Sequence, residues 1–475
     1  MNIAFSPEVM DVLNVIIEIF SIFFVVYLIG YASFLFISVI VGSNEVFTGI
    51  KRKTLRNEIH HEYYVPVTII VPAYNEAVTI CKSIKSLLNL DYKTYEIVVV
   101  NDGSKDDTAD VVINHFNLHK VNRPIRRQVQ CKDAVAVYEG ISENGISIVL
   151  VDKENGGKAD SINMGINVSK FPYFVCMDAD SILEKDSLKK IAVPVLENQD
   201  VVAVGSMIRI SNGSKFENGE LKELRLPKKL LPAFQVLEYE RSFLASRIFL
   251  DKFNANLVIS GAFGLFKKDA VISVGGYKVG CIGEDMELVM NLHEYHRKNK
   301  LPYLIKYSYD AICWTQAPER MRDLIKQRRR WHIGLMQSMF THRSLMSVVS
   351  YFYFLFYELL SPAIELIGLV LTIIAGLLGF LNTSVAITLF LVYALFGAML
   401  TVISFVSRNF NSDQKLRMRD VIKAFLLCVP ENVIIRFIMA FTRMFSVFFM
   451  RGKKTKWGEI KRYNINYDST EEKAS

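Results

Sequence analysis

Several short stretches set carboxylate, ammonium and guanidinium groups at spacings suited to a charged substrate. Asn101-Asp102-Gly103, Asp178-Ala179-Asp180 and Gly283-Glu284-Asp285 each bring acids to a turn, GGKADSIN (Gly156 to Asn163) carries Lys158, and KQRRRWHIGL runs from Lys326 to Leu335. A carboxylate pair offers hard oxygen ligands to a divalent cation, a further carboxylate can accept a proton, and arginine can grip a phosphate with two parallel hydrogen bonds. Written as a helix, Gln327, Arg330 and Trp331 share one face at i, i+3 and i+4, while Arg328 and Arg329 point elsewhere. Each motif alone has a plainer reading. An Asp after a strand is commonly a turn former or helix cap, Asp285 would cap the helix MELVMNL, and three arginines before an apolar stretch form a collar that marks the cytoplasmic side.

The elements needed to bring these groups together are legible between Tyr64 and Ile325. VTIIVPAYNE (Val67 to Glu76) begins as a buried strand and ends in a turn, and Ile80, Ile84, Leu87 and Leu88 then repeat at helical spacing. YEIVVVNDGS is a second strand, SIVLVDKENGG a third and FPYFVCMDADS a fourth. Apolar β-branched strands alternating with helices predict an α/β domain with a mainly parallel sheet, whose site lies at the strands' carboxyl ends. No G-x-G-x-x-G follows the first strand, which sets aside a dinucleotide-binding dehydrogenase.

The chain has 475 residues, 51% of them hydrophobic, and a mean hydropathy of +0.24, above that of an ordinary soluble enzyme. Its formal charge of +8 is that of a membrane protein with basic cytoplasmic loops and requires no nucleic-acid partner. The six cysteines are scattered, without C-x-x-C, so neither zinc nor a disulfide framework is indicated. His60 and His61 read as solvated linker residues.

Val12 to Val41 is almost wholly apolar and long enough for a tilted span. MNIAFSPEVMD before it lacks Lys and Arg, and KRKTLR (Lys51 to Arg56) follows, so the N-terminus is expected outside and the next domain in the cytoplasm. Leu345 to Leu381 and Val385 to Val406 read as a hairpin around LNTS, with Leu345 to Leu360 either interfacial or a further span. Val421 to Met450, with Pro430, Glu431, Arg436 and Arg443, reads as largely interfacial, because arginine at the bilayer centre is costly. The expected division is residues 1–50, an N-terminal transmembrane helix; 51–343, a cytosolic α/β domain; 344–450, a transmembrane hairpin with interfacial helices; and 451–475, a cytosolic tail.

In this order, the early Asp, the D-x-D, the E-D pair and Q-x-x-R-W resemble the membrane-integrated processive family 2 glycosyltransferases: the cellulose, chitin, hyaluronan and poly-N-acetylglucosamine synthases. PAYNE (Pro72 to Glu76), GGKADSIN and SGAFGLF (Ser260 to Phe266, with Gly261) are similar to stretches of that family too. The resemblance covers about Tyr64 to Arg343, and the flanking apolar segments by arrangement only. It implies a cytosolic GT-A (nucleotide-diphospho-sugar transferase, Rossmann-like) domain on a plasma-membrane protein that extends a β-linked polysaccharide from a UDP-sugar, UDP-glucose or UDP-N-acetylglucosamine, and exports it.

By the same resemblance Asp180 holds Mg or Mn and Asp178 contacts the metal or the sugar nucleotide. Pro72, Ala73, Tyr74, Glu76 and Asp102 lie at uracil and ribose, Lys158 near the nucleotide and Gly261 at the substrate. Asp285, beside Glu284, is the base on the acceptor hydroxyl. Gln327 and Arg330 meet diphosphate or acceptor, and Trp331 stacks on the terminal sugar of the growing chain. Gly283 stands where many relatives have Thr, which leaves the base in place and alters its surroundings. The aromatic run Ser350 to Leu360 reads either as stacking rungs for the polymer or as interfacial packing. KKTKWGEI (Lys453 to Ile460) reads either as a gating loop or as a membrane-surface anchor. The chain ends soon after the last apolar stretch, so control by a cyclic dinucleotide, or assisted export, would fall to an accessory subunit. Two rival readings stay open: a non-processive transferase acting on a lipid-linked acceptor, and a catalytically inactive sugar-nucleotide-binding scaffold.

Overall fold

The computed structural model describes residues 7–58, 64–217, 220–342, 347–410 and 416–449. KKTKWGEI, His60 and His61 lie outside the described residues. In chain order the strands are β1 (Val67–Ala73), β2 (Tyr95–Asp102), β3 (His119–Val121), β4 (Ala134–Ile141), β5 (Ser147–Lys153), β6 (Tyr173–Met177), β7 (Ile182–Leu183), β8 (Val201–Ile210), β9 (Lys215–Glu217), β10 (Glu220–Glu223), β11 (Phe263–Lys267) and β12 (Leu304–Thr315). Ten of them form one sheet in the order β3-β4-β5-β2-β1-β6-β11-β8-β12-β7, and β9 and β10 make a separate hairpin. The sheet is mixed. Its central strands β5, β2, β1 and β6 are parallel, as are β8 and β12, while β11 runs against both its neighbours.

The central strands form continuous apolar runs because both of their faces are covered. Ile69, Val71, Ile97 and Val99 enter one core with Ile80, Ile84 and Leu87 of the helix Ile80–Leu88. Their neighbours Ile70, Val98 and Val100 enter the opposite core, as the period of two requires. That second core also takes Ile162 and Ile166 of the helix Lys158–Val168 and Leu288, Val289 and Leu292 of the helix Glu284–Lys298. The helices that begin with Lys158 and with Glu284-Asp285 therefore pack on one side of one sheet.

Among the described residues three helical stretches are long and apolar enough to cross a membrane: Asn14–Gly49, Thr383–Ser407 and Met418–Met444. A fourth arises if Val348–Leu359 and Ser361–Leu377, bent by 48° at their junction, act as one span. Their exposed faces carry Ile19, Val26, Ile387, Val392 and Leu426, and point to membrane association.

Two expectations bear on these stretches. The stretch read as the first arm of the hairpin is this bent pair, which has the form of a broken span or a re-entrant loop, and the stretch read as interfacial contains Met418–Met444, long and apolar enough for a span. Of the two arginines that argued for the interface, Arg436 has its charge paired. Arg436 donates to Glu365 from Nε (3.1 Å) and Nη2 (2.6 Å), with Tyr31 and Tyr393 beside its guanidinium.

The N-terminal helix runs unbroken from Pro7 to Glu58, and a segment from inside the α/β region packs against it. Leu244 and Ile248 meet Val46, Ala245 meets Leu35 and Val39, and Ala233 and Leu237 meet Ala398, Phe405 and Cys428. Arg241 closes this contact, donating to Glu431 (2.7 and 3.0 Å) and to Thr401 Oγ1 (2.6 Å). The aromatic run after Ser350 packs Tyr353 and Tyr357 against Phe34, with ring centroids 4.9 and 5.6 Å away, and Tyr357 also against Tyr31 at 5.1 Å.

Candidate active site

The site is built from the carboxyl ends of β1, β2 and β6 and from the starts of two helices. β5 ends beside β2 with Asp102 in register with Lys153. Lys153 is wholly buried, and its ammonium meets Asp102 Oδ1 (2.8 Å), Asp160 Oδ1 (2.6 Å) and the Glu154 carbonyl (2.7 Å). Asp102 also accepts from the backbone N–H groups of Gly156 (2.9 Å) and Gly157 (2.8 Å). The carboxylate expected at uracil and ribose thus lies beneath the Gly156-Gly157 turn, with both oxygens hydrogen-bonded, and it holds that turn in place. Gly157, at φ +92, needs the left-handed freedom of glycine to start the next helix with Lys158.

Lys158 reaches across to the end of β6, where its Nζ lies 2.5 Å from Asp178 Oδ1. Burial works against its charge, but Asp178, Glu284 and Asp285 outweigh burial and keep it firmly protonated. Asp180 stands next to this pair. Burial, with the charge of Asp178 added, pushes its carboxyl up to about 6, and Lys158 limits the rise. Burial and the charge of Asp285 likewise raise Glu284, while Lys158 and Arg330 pull it back.

Asp285 is the second residue of its helix, and the cap position belongs to Gly283 at φ +87, so the plain capping reading of Asp285 does not hold. Its Oδ2 accepts from the Gly261 N–H (3.1 Å) and its Oδ1 from the Met286 N–H (2.9 Å). A Cβ at Gly261 would stand 3.1 Å from Lys158 Nζ and 3.6 Å from Asp285 Oδ2, which places SGAFGLF against both groups. Lys158, Asp178, Asp180, Gly261, Glu284 and Asp285 therefore converge, although up to 127 positions separate them in the chain.

The Q-x-x-R-W segment lies in the helix Met321–Thr341, which approaches this group one turn further on through Gly334 and Gly283. A Cβ on Gly334 would meet the Ile282 carbonyl oxygen at 2.5 Å and Gly283 Cα at 3.2 Å. Arg330 is exposed and acts on Glu284 electrostatically. Trp331 is 38% exposed, and the buried Gln327 Oε1 has no hydrogen-bond partner. Arg328 departs from the collar expected of it. It is buried, its Nη2 donates to Glu238 Oε2 (2.7 Å), and its guanidinium covers the Trp331 ring at 4.6 Å.

The β1 turn adjoins Asp102 through the Ala73–Asn101 pairing. Pro72, Ala73 and Glu76 are buried and Tyr74 is half-buried. Asn75, at φ +58, ties the turn to the next loop, its N–H donating to Ser104 Oγ (3.0 Å) and its Oδ1 accepting from Lys105 N–H (2.8 Å).

Lys153, Asp160 and Glu238 were not among the residues the sequence singled out, and Arg328 was read only as part of the collar. Lys153 left a signal, since aligning VVVND with VLVDK pairs Asn101 with Asp152 and Asp102 with Lys153. No spacing rule points to Glu238.

Among the described residues no group of three or more His, Cys, Asp or Glu could hold a metal ion. The Asp178–Asp180 pair offers two hard oxygen donors, and the raised carboxyl of Asp180 marks a place where added positive charge is favourable. Such a pair fits a divalent cation that takes its remaining ligands from phosphate and water.

A family model described as glycosyltransferase like family 2 matches residues 65–334. Poly-β-1,6-N-acetyl-D-glucosamine synthases from Staphylococcus epidermidis and Staphylococcus aureus are 29% identical over 313 and 314 residues, 65% of this chain and 64% of theirs. The chain thus spans less than two thirds of the length of these relatives. A mannosyltransferase from Pyrobaculum calidifontis, solved with GDP-mannose and Mn2+, superposes with a TM-score of 0.46 at 17% identity, over 85% of this chain and 99% of that one. Residues 1–349 of S. aureus TarS in complex with UDP give a TM-score of 0.34 at 16% identity, over 57% and 66% of the two chains.

Proposed function

Because this chain belongs to glycosyltransferase family 2, we propose that it transfers a sugar from a UDP-sugar to the end of a growing β-linked polysaccharide, with inversion, and passes the product across the plasma membrane. The observation that carries this reading is the convergence of Lys158, Asp178, Asp180 and Asp285 beside the arginine and tryptophan helix. UDP-N-acetylglucosamine is the first donor to test, given the polymer named for the staphylococcal relatives, and UDP-glucose the second.

In this reading the acceptor hydroxyl oxygen bonds to the anomeric carbon as the bond from that carbon to the diphosphate breaks. UDP leaves with the bonding pair, and the hydroxyl proton passes to Asp285. The Gly261 and Met286 N–H groups hold the carboxylate and leave it lone pairs for that proton. Lys158 and Arg330 set fixed positive charge where the diphosphate gains negative charge. Asp178 and Asp180 would hold Mg or Mn, which supplies further charge to the leaving diphosphate. Asp102 acts through the loop it fixes, so that the Gly156-Gly157 turn and Lys158 are ready before the nucleotide arrives. Trp331 gives the acceptor sugar a flat face.

KRKTLR after the first span supports an outside N-terminus and a catalytic domain on the cytoplasmic face. A polar polymer needs a protein-lined path through hydrocarbon, and the apolar helices packed on Leu230–Asp251 supply neighbours for one. The test is incubation of membranes holding the full chain with Mg or Mn and each UDP-sugar in turn, followed by linkage and length analysis. Long β-linked product supports the reading; a single addition to lipid favours a lipid-linked acceptor; UDP binding with no sugar consumed removes the enzyme.

A further inference from the structure

Trp331 can serve as a stacking surface only if its indole is held at one tilt, and half-exposed side chains on a helix do not hold themselves. Arg328 lies one turn before Trp331, at i−3, and so on the same side of the helix. Its guanidinium sits 4.6 Å from the indole centroid, on one face, and 6.0 Å from the Tyr239 ring. The planar group is in turn fixed by Glu238, 2.7 Å from Nη2.

Glu238 belongs to the helix Leu230–Arg241, which is itself anchored on either side of Glu238, at Gln235 and at Arg241. Gln235 Nε2 donates to the Pro318 carbonyl (2.9 Å) just ahead of the Met321–Thr341 helix, and Arg241 grips Glu431 in the apolar Met418–Met444 stretch. A cation buried this well, against an aromatic face and with one carboxylate partner, has few other orientations open to it.

We propose that Arg328 and Glu238 are the positioning residues of the acceptor platform, a conclusion that rests on the functional reading above. Arg328 occupies one face of Trp331 and, held by Glu238, orients the other face toward the sugar and indexes that face to the apolar helices through Arg241 and Glu431. The sugar accordingly stacks on one indole face only, and the interaction acts on the acceptor and not on the UDP-sugar.

The test uses the full chain in detergent, labelled with 5-fluorotryptophan and titrated with β-linked N-acetylglucosamine oligosaccharides, the Trp331 fluorine resonance being assigned with W331F. R328M and E238Q are compared with wild type, and R328K retains the ion pair to Glu238 without the flat guanidinium. Expected results are a moved Trp331 resonance in R328M and R328K, oligosaccharide binding weakened roughly tenfold, and UDP binding unchanged. The R328M E238Q double variant is expected to be no worse than R328M. A purely structural ion pair would instead leave oligosaccharide binding intact in R328K, or weaken UDP and oligosaccharide alike; either result overturns the proposal.

The two readings fail separately. If wild type consumes UDP-sugar yet its Trp331 resonance answers no oligosaccharide, the platform falls and the transferase stands. If the resonance shifts in wild type and not in R328M while no sugar is consumed, the transferase falls and the positioning role stands.

Discussion

Substituting Gly334 tests whether the arginine and tryptophan helix sets the position of the base. In Gly334→Ala the new Cβ would stand 2.5 Å from the Ile282 carbonyl oxygen, 3.1 Å from the Ile282 carbonyl carbon and 3.2 Å from Gly283 Cα. All three are backbone atoms, so no side chain can swing away. An ordinary carbon–oxygen contact is roughly 3.3 Å, so the Ile282-Gly283 segment must retreat by about 0.8 Å. Gly283, already at φ +87, leads directly into Glu284 and Asp285, which move with it. Overpacking of this kind costs about 1–3 kcal/mol in stability, and a misplacement near 1 Å at a reacting group costs up to about 10²-fold in rate. UDP release from the donor should therefore fall by about 10²-fold, while UDP affinity, which the proposed reading assigns to groups away from this contact, stays near wild type. Gly376→Ala is the control, since its Cβ would meet only Thr383 Cγ2 at 3.3 Å. A folded Gly334→Ala variant with a rate within about twofold of wild type would refute the argument that this approach positions Asp285.

Asp285→Asn should abolish elongation and leave UDP affinity largely intact, whereas Arg330→Ala should weaken both; normal polymer from the Asn variant would take the base role away from Asp285. Lys153→Met leaves Asp102 and Asp160 buried without their shared cation, and a cost of about 3–5 kcal/mol should appear as a large drop in melting temperature together with weaker UDP binding. Glu365→Gln strands the Arg436 guanidinium among Tyr31 and Tyr393 and should lower the melting temperature in detergent by a similar free energy, with Glu365→Gln Arg436→Met recovering part of it; an unchanged melt would show the pair to be dispensable. For His342, burial pulls the imidazole down but its contacts with Glu287 and Glu294 outweigh burial and leave it raised. Its stabilisation is therefore complete below the unfolded value near 6.5 and is lost as pH rises through the raised folded value, so the wild-type melting temperature should decline over that window relative to His342→Gln.

The parts of the fold legible in the sequence are those buried on both faces. β1, β2, β5 and β6 are runs of Val, Ile and Phe whose alternate residues enter two cores, and each ends at a turn that carries a motif. β4 escaped notice because it lies near the sheet edge with Val135 and Ile141 largely exposed, so its sequence lacks a continuous apolar run. The helix Leu230–Arg241 and the π-helical turn Ser242–Arg247 escaped for another reason. Their apolar residues pack against membrane-type helices from both ends of the chain, a partner that no local periodicity can display.

The site follows the same division between local and distant causes. Residue types named the groups that converge, but not the partners each of them takes. Asp102 carries the motif that suggests nucleotide contact, yet the register of β2 on β5 puts Lys153 against it and turns it inward. For Arg328 the helical wheel gave a direction without its occupant, and Glu238, 90 positions away, converts a collar residue into a buried support for Trp331. Arg436 in the last apolar stretch shows the same dependence on a distant partner. Counting a charge as unpaired assigns it to the interface, because an isolated guanidinium in hydrocarbon is costly. A carboxylate on another helix, here Glu365 for Arg436 and Glu431 for Arg241, removes the premise of that count. Polar residues within apolar helices are therefore better read in pairs across the chain, since three of these four stand in stretches that would otherwise read as lipid-facing.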